Sequence, residues 1–164
     1  MIAYILSTIF LFGCSVFIGN GFSPVFSVMK ETGRSRLPWH GLVVFFIVKL
    51  LFDAATGVLA YTWLQYPVWG LCYWLAKQSA VASATLFYLL SNTVCFFQMN
   101  GSIPGLPAIY TPDIAGYVAC MAAGLPYYGR SLLATVVACL AFRALRTAAP
   151  AQYERFLRPA RARG

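Results

Sequence analysis

The chain has 164 residues, 60% hydrophobic, 16% aromatic and 10% charged, with a mean hydropathy of +0.72. Soluble domains carry about 25% charged and 45–50% apolar residues, so this composition excludes a water-soluble domain and a disordered chain, and its five cysteines are too few for a disulfide-rich secreted protein. The net charge is +8, and six of the twelve Lys/Arg (Arg143, Arg146, Arg155, Arg158, Arg161 and Arg163) fall near the C-terminal end of the sequence.

A bilayer core about 30 Å thick needs about 20 apolar residues as a helix. Residues 2–18 are the first candidate span, and they stop at the breaker cluster Gly19-Asn20-Gly21. Leu11-Phe12-Gly13-Cys14 loosely resembles a lipoprotein cleavage box, but Phe12 is bulky for it and residues 1–6 carry no positive charge, which argues against cleavage. Residues 22–29 are apolar but too short to span, and Pro24 near their start suits a half-helix. Residues 30–36, with Lys30, Arg34 and Arg36, read as an aqueous loop.

Trp39 and His40 open a second long run, residues 40–64, which contains Lys49 and Asp53. Tyr61, Trp63, Tyr66, Trp69, Tyr73 and Trp74 have the composition of an interfacial aromatic belt, with stacking on a planar ligand as the alternative. Residues 67–76 form a short third span, and residues 79–97 a clean one with Asn92 inside. A Pro/Gly loop follows over 98–112, containing Pro104, Pro107 and Pro112. Thr111 as N-cap, Pro112 as first helical residue and Asp113 at the positive end predict a helix start there. That helix is expected to break at Pro126, leaving 130–148 as the last span and 150–164 as a polar tail with a short amphipathic helix at 152–157.

The fold class is therefore all-α: a polytopic transmembrane helical bundle of about six spans plus one half-helix, with a transmembrane domain over 1–148 and a cationic tail over 149–164. Helices satisfy their own backbone in lipid, and the absence of period-two alternation excludes an outer-membrane barrel. The positive-inside rule puts both the 30–36 loop and the tail in the cytoplasm. Five spans between them would put them on opposite sides, so the segments 67–76 and 113–125 are suspected of not being full crossings.

Few ionisable residues lie within spans. Lys49 and Asp53, four apart, share a helix face. An unpaired charge at mid-membrane costs about 2.5–3.5 kcal/mol on insertion scales. The two residues are either a ligand-facing or proton-coupling site, or an internal ion pair that locks the helix to its neighbours. Asn92 is either interhelical hydrogen-bond glue or a ligand contact. Asn20, at a helix break, suits a cavity lining. His40, the single histidine, reads as a capping or interfacial residue, with an axial-ligand role as the alternative. Gly116, Cys120 and Gly124 form a close-packing strip.

Arg143, Arg146, Arg155 and Arg158 fit contacts with anionic lipid headgroups, and no groove-reading element suggests nucleic acid. Cys14, Cys72, Cys95, Cys120 and Cys139 sit in apolar runs without a CxxC pair, so neither a disulfide nor a metal site is expected. With one His, four acids, no phosphate cradle and no Ser/His/Asp set, the sequence predicts no enzyme and no cofactor.

The order of motifs resembles a family of bacterial inner-membrane proteins that is itself similar to the substrate-binding S components of energy-coupling-factor vitamin transporters. The early Asn-Phe-Thr-Pro-Val of that family is similar to Asn20-Gly21-Phe22-Ser23-Pro24-Val25, with one extra Gly. Its Ser-Asp…Gly pattern resembles Phe52-Asp53-Ala54-Ala55-Thr56-Gly57, and its Phe-Phe…Ser-Asn span resembles Leu86-Phe87 through Ser91-Asn92. Its later Tyr-Pro-x-Thr stretch resembles Tyr110-Thr111 through Gly116-Tyr117, followed by Gly124-Leu125-Pro126-Tyr127-Tyr128. The resemblance implies a multi-pass protein of the bacterial inner (cytoplasmic) membrane, capture of a small molecule from the outer face, and partnership with a separate energising subunit. Two functions are then expected. One is a substrate-binding membrane subunit with Asn20, Asp53 and Asn92 lining the site and the 99–112 loop as a lid. The other is a non-catalytic accessory or structural subunit docked on other integral membrane subunits.

Overall fold

Pro24 sets the start of the first described helix. It has no amide to leave unsatisfied there, and its carbonyl accepts the amides of Ser27 and Val28 at 3.0 and 3.2 Å. The computed structural model describes residues 24–33, 38–55, 57, 63–148 and 150. The expected first span 2–18, Asn20, Cys14 and the tail with Arg155, Arg158, Arg161 and Arg163 lie outside the described residues. Among the described residues every regular element is helical.

Helix α1 (Val25–Gly33) buries Val25, Phe26, Ser27, Met29 and Glu31, and it packs against all four later helices. The 30–36 segment is thus not wholly an aqueous loop: the helix continues through Lys30 and Glu31, because Glu31 finds a buried partner. Helix α2 (Pro38–Ala55) ends before Gly57, whose φ of +72° and amide bond to Ala54 turn the chain. The second run therefore does not continue to residue 64. Phe45, Lys49 and Asp53 recur every four residues on its buried face, while Val43, Ile47, Leu50 and Leu51 are exposed.

A 3-10 turn (Trp63–Gln65) leads into α3 (Tyr66–Ala76), whose 11 residues span only about 16 Å at helical rise. Ser79 caps α4 (Ala80–Met99), its hydroxyl accepting the Ala82 amide at 3.1 Å. The 100–113 connection folds back on that helix, and the Met99 carbonyl accepts the amides of Ile109 and Tyr110 at 2.7 and 2.9 Å.

Helix α5 (Ile114–Ala148) runs 35 residues without interruption, through Pro126. The expected break there does not occur. Proline removes one donor and one helical bond, whereas a full break among apolar surroundings would strand several backbone groups. Its start also differs from expectation: Asp113, not Thr111, is the cap. The Asp113 carboxylate accepts the Gly116 amide at 2.7 Å and the Thr111 hydroxyl at 2.8 Å. These bonds, the Gly116 amide first, hold its pKa below the ordinary carboxylate value.

The core is aromatic. Phe26 stacks on Trp69 with centroids 5.7 Å apart, and Trp69 meets Phe87 at 4.0 Å and Phe45 at 5.4 Å. The expected aromatic belt therefore divides: Trp63 and Trp74 are exposed, while Tyr73 is buried and Trp69 lies in this cluster. Along the α4–α5 seam Gly116, Cys120 and Gly124 are buried, as close packing demands. The Tyr88 hydroxyl donates to the Met121 carbonyl at 2.7 Å, and Thr85 bonds Tyr128 and Thr93 bonds Tyr117 at 2.9 and 3.1 Å. A Cβ on Gly124 would overlap the Asn92 amide. Cys72, Cys95, Cys120 and Cys139 are free thiols.

Two helices, Ala80–Met99 and Ile114–Ala148, are long and apolar enough to cross a membrane. Within α5 only 11% of the span window is buried inside the molecule, and its outward residues are Val118, Leu125, Leu133, Val137 and Leu140.

Gly124→Val should lower thermal stability in detergent by about 1–3 kcal/mol through overpacking, and Asn92→Ala in the same chain should recover part of that loss. Thermal unfolding of the two variants and their double mutant checks the coupling. Because the Asp113 pKa is depressed on folding, its stabilisation is present above the unfolded carboxylate value near about 4 and fades as pH falls through the folded value. Asp113→Asn, which still caps, should therefore show a smaller loss of melting temperature between neutral and acid pH than the parent.

Candidate functional site

Lys49 and Asp53 face inward because the apolar period of α2 puts them in line with Phe45. The Lys49 ammonium donates to Asp53 Oδ2 at 2.6 Å, and the two side chains are only 8% and 3% exposed. Tyr66, at the first position of α3, donates its hydroxyl to the same oxygen at 3.2 Å. The Lys49 ammonium also lies 5.5 Å from the Tyr66 ring centroid and 5.7 Å from that of Trp69. Phe46 stacks on Tyr66 at 5.9 Å. The Trp69 indole N–H is buried without a hydrogen-bond acceptor. The site thus combines a carboxylate, an ammonium and a phenol beside the aromatic rings of Tyr66 and Trp69. Chemically it can hold a charge of either sign, and an aromatic face favours a cation in place of Lys49.

Asn92 lies elsewhere. Its side-chain amide donates to the Tyr88 carbonyl at 2.7 Å and abuts Gly124 in the α4–α5 seam, and its backbone carbonyl accepts the Cys120 thiol at 3.4 Å. The structure therefore does not gather Asp53 and Asn92 around one point, and Asn20 is outside the described residues. His40 occupies the first turn of α2. Its neighbour Trp39 packs edge-on against Trp74 at 4.8 Å, and the Lys77 ammonium sits 3.3 Å from the Trp74 ring centroid.

A second ion pair was not legible as such. Arg146, expected at lipid headgroups, donates from Nη2 to both Glu31 oxygens at 3.0 and 2.9 Å. The Glu31 side chain is 4% exposed and that of Arg146 44%. Arg143, one turn earlier, is exposed. The signal available for Glu31 was its i+4 relation to Ser27, whose hydroxyl donates to the Thr135 carbonyl of α5 at 2.6 Å. Tyr66 and Trp69 were visible only as members of the aromatic cluster. Among the described residues no group of three or more His, Cys, Asp or Glu gathers as a metal site.

Lys49→Met leaves a buried carboxylate without its ammonium and should cost about 3–5 kcal/mol, whereas Lys49→Met with Asp53→Leu should cost much less. Unfolding in detergent measures both; equal losses would mean that the carboxylate left behind in Lys49→Met carries no penalty.

Residues 2–156 match the model described as Family of unknown function (DUF6580). No curated protein and no solved structure matches the chain. With nearly its whole length inside that match, the chain belongs to the DUF6580 family.

Proposed function

We propose that the chain is a multi-pass subunit of the bacterial inner membrane that captures a small polar molecule at Asp53. The observation that carries this reading is the buried Lys49–Asp53 pair. The ion pair itself lies within α2, and the Tyr66 hydroxyl links its carboxylate to α3. Desolvating two charges for an intrahelical bond is a poor stabilising device, and ionisable groups at membrane depth mark ligand or ion pathways. A ligand bearing a cationic or hydrogen-donating group would exchange for Lys49 on the Asp53 carboxylate. Tyr66, and Trp69 with its unpartnered indole N–H, would complete the contact.

The ordered motifs resemble a bacterial inner-membrane family that is itself similar to energy-coupling-factor S components, and this supports the same reading, with Asn20 and the 99–112 loop in the lining and lid roles. Asn92 acts there as a helix-packing residue. The reading includes no catalytic step, cofactor or metal, and the energy for uptake comes from a separate membrane subunit.

A second reading, a non-catalytic accessory subunit of a larger membrane complex, draws on the outward face of α5. That face is rich in exposed apolar residues, Val118, Leu125, Leu133, Val137 and Leu140, with Arg130 exposed midway along the helix, and suits a neighbouring subunit as well as lipid.

Purification in mild detergent followed by native mass spectrometry distinguishes the two. Under the first reading a small molecule co-purifies with the parent and is lost from Asp53→Asn, while the variant keeps its helical circular dichroism. Retention unchanged by Asp53→Asn overturns it, and a stable larger assembly without a small molecule supports the second.

A further inference from the structure

Helix directions assign the cations to one end of the bundle. Ser27 meets Thr135 and Cys139, and Glu31 meets Arg146, so α1 and α5 run the same way. Trp39, at the start of α2, packs on Trp74 near the end of α3, whereas Asp53, at the end of α2, bonds Tyr66 at the start of α3. Helix α3 therefore returns the chain to where α2 began. Helix α4 departs from there, and α5 comes back along it, with Thr85 beside Tyr128 and Thr93 beside Tyr117.

Lys30, Lys77, Arg143 and Arg146 consequently share one end. Of the six described Lys/Arg, these four lie at that end, with Lys49 and Arg130 within α2 and α5. At the opposite end the described connection 100–113 contains no Lys or Arg, and Asp113 is its single charge. Because α5 is one helix through Pro126, four described helices, α2 to α5, follow Lys30 as far as Ala148, where five spans were expected.

We propose that this end is the cytoplasmic face. Its exposed cations, Arg143 foremost, bind the phosphate headgroups of anionic phospholipids, and the Glu31–Arg146 pair ties the α1 and α5 parts of that surface together. The charge bias is the one that orients membrane proteins, and anionic headgroups attract basic juxtamembrane clusters. The apolar outward face of α5 delivers Arg143 directly to the headgroup level. On this orientation Asp53 and Tyr66 lie toward the outer end. The proposal does not depend on ligand capture there.

Topology reporters test the first half. A green fluorescent protein fused after Gly164 should fluoresce and an alkaline phosphatase fused there should be inactive. In a cysteine-free background, Ser35→Cys and Thr147→Cys should be shielded from a membrane-impermeant maleimide in intact cells, and Ser102→Cys should be labelled. An active phosphatase fusion, or Ser35→Cys and Thr147→Cys on different sides, overturns it. For the second half, the full chain in bilayers of phosphatidylcholine and phosphatidylglycerol is released for native mass spectrometry. Phosphatidylglycerol should be retained preferentially, by several-fold less in Lys30→Gln/Arg143→Gln. Equal retention of the two lipids, or no change in the variant, overturns the headgroup contact.

Discussion

A charge can be kept inside an apolar bundle only with an opposite charge at bonding distance, and this chain obeys that rule at each described position. Glu31, Lys49 and Asp53 are buried. Glu31 is held by Arg146 at 2.9 Å and Lys49 by Asp53 at 2.6 Å. The two pairs do different work. Glu31–Arg146 joins the first described helix to the last, across 115 residues of sequence, and so closes the bundle. Lys49–Asp53 is a pair within one helix, joined to the next helix through the Tyr66 hydroxyl on Asp53.

The same requirement governs the neutral groups. Ser27, Ser83 and Tyr88 each donate to a carbonyl of another helix, Thr135, Cys72 and Met121 respectively. Contacts of this kind contribute about 0.6 kcal/mol each in lipid, so they specify which helices adjoin more than they stabilise them. Close approach does the rest. Gly124 leaves room for Asn92, and Cys120 settles on the Asn92 carbonyl, so the α4–α5 seam is built from the absence of bulk on one side and a compact amide on the other. What remains outside is largely apolar on α2, α4 and α5, with Arg130, Arg143 and Arg146 the exposed cations of α5.

Much of this architecture was readable from spacing alone. The α4 span with its Ser79 cap, the short α3, the half-helix after Pro24 and the small-residue strip of α5 all follow from local rules of period and capping. The misreadings share a cause. Pro126, the charged 30–36 segment and the continuation of α2 toward residue 64 were judged by local propensity, and tertiary context decided each one. Glu31 stays helical because Arg146 waits for it, and α2 stops because Gly57 adopts a left-handed turn. Of the candidate site, Lys49 and Asp53 were legible because mid-span charges are conspicuous. Tyr66 and Trp69 were not, since one aromatic among many carries no sign of which face it will occupy. Asn92 was conspicuous for the same reason as Asp53 but turned to a helix seam.

The central claim is that the bare apolar faces of these helices meet hydrocarbon. Spin labels placed one at a time along α5, at Val118, Leu125, Leu133, Val137 and Leu140, and the protein reconstituted in bilayers, give the most direct measure. The account predicts high accessibility to molecular oxygen and low accessibility to a water-soluble nickel complex at these positions. Ready collision with the nickel complex along that face would contradict it.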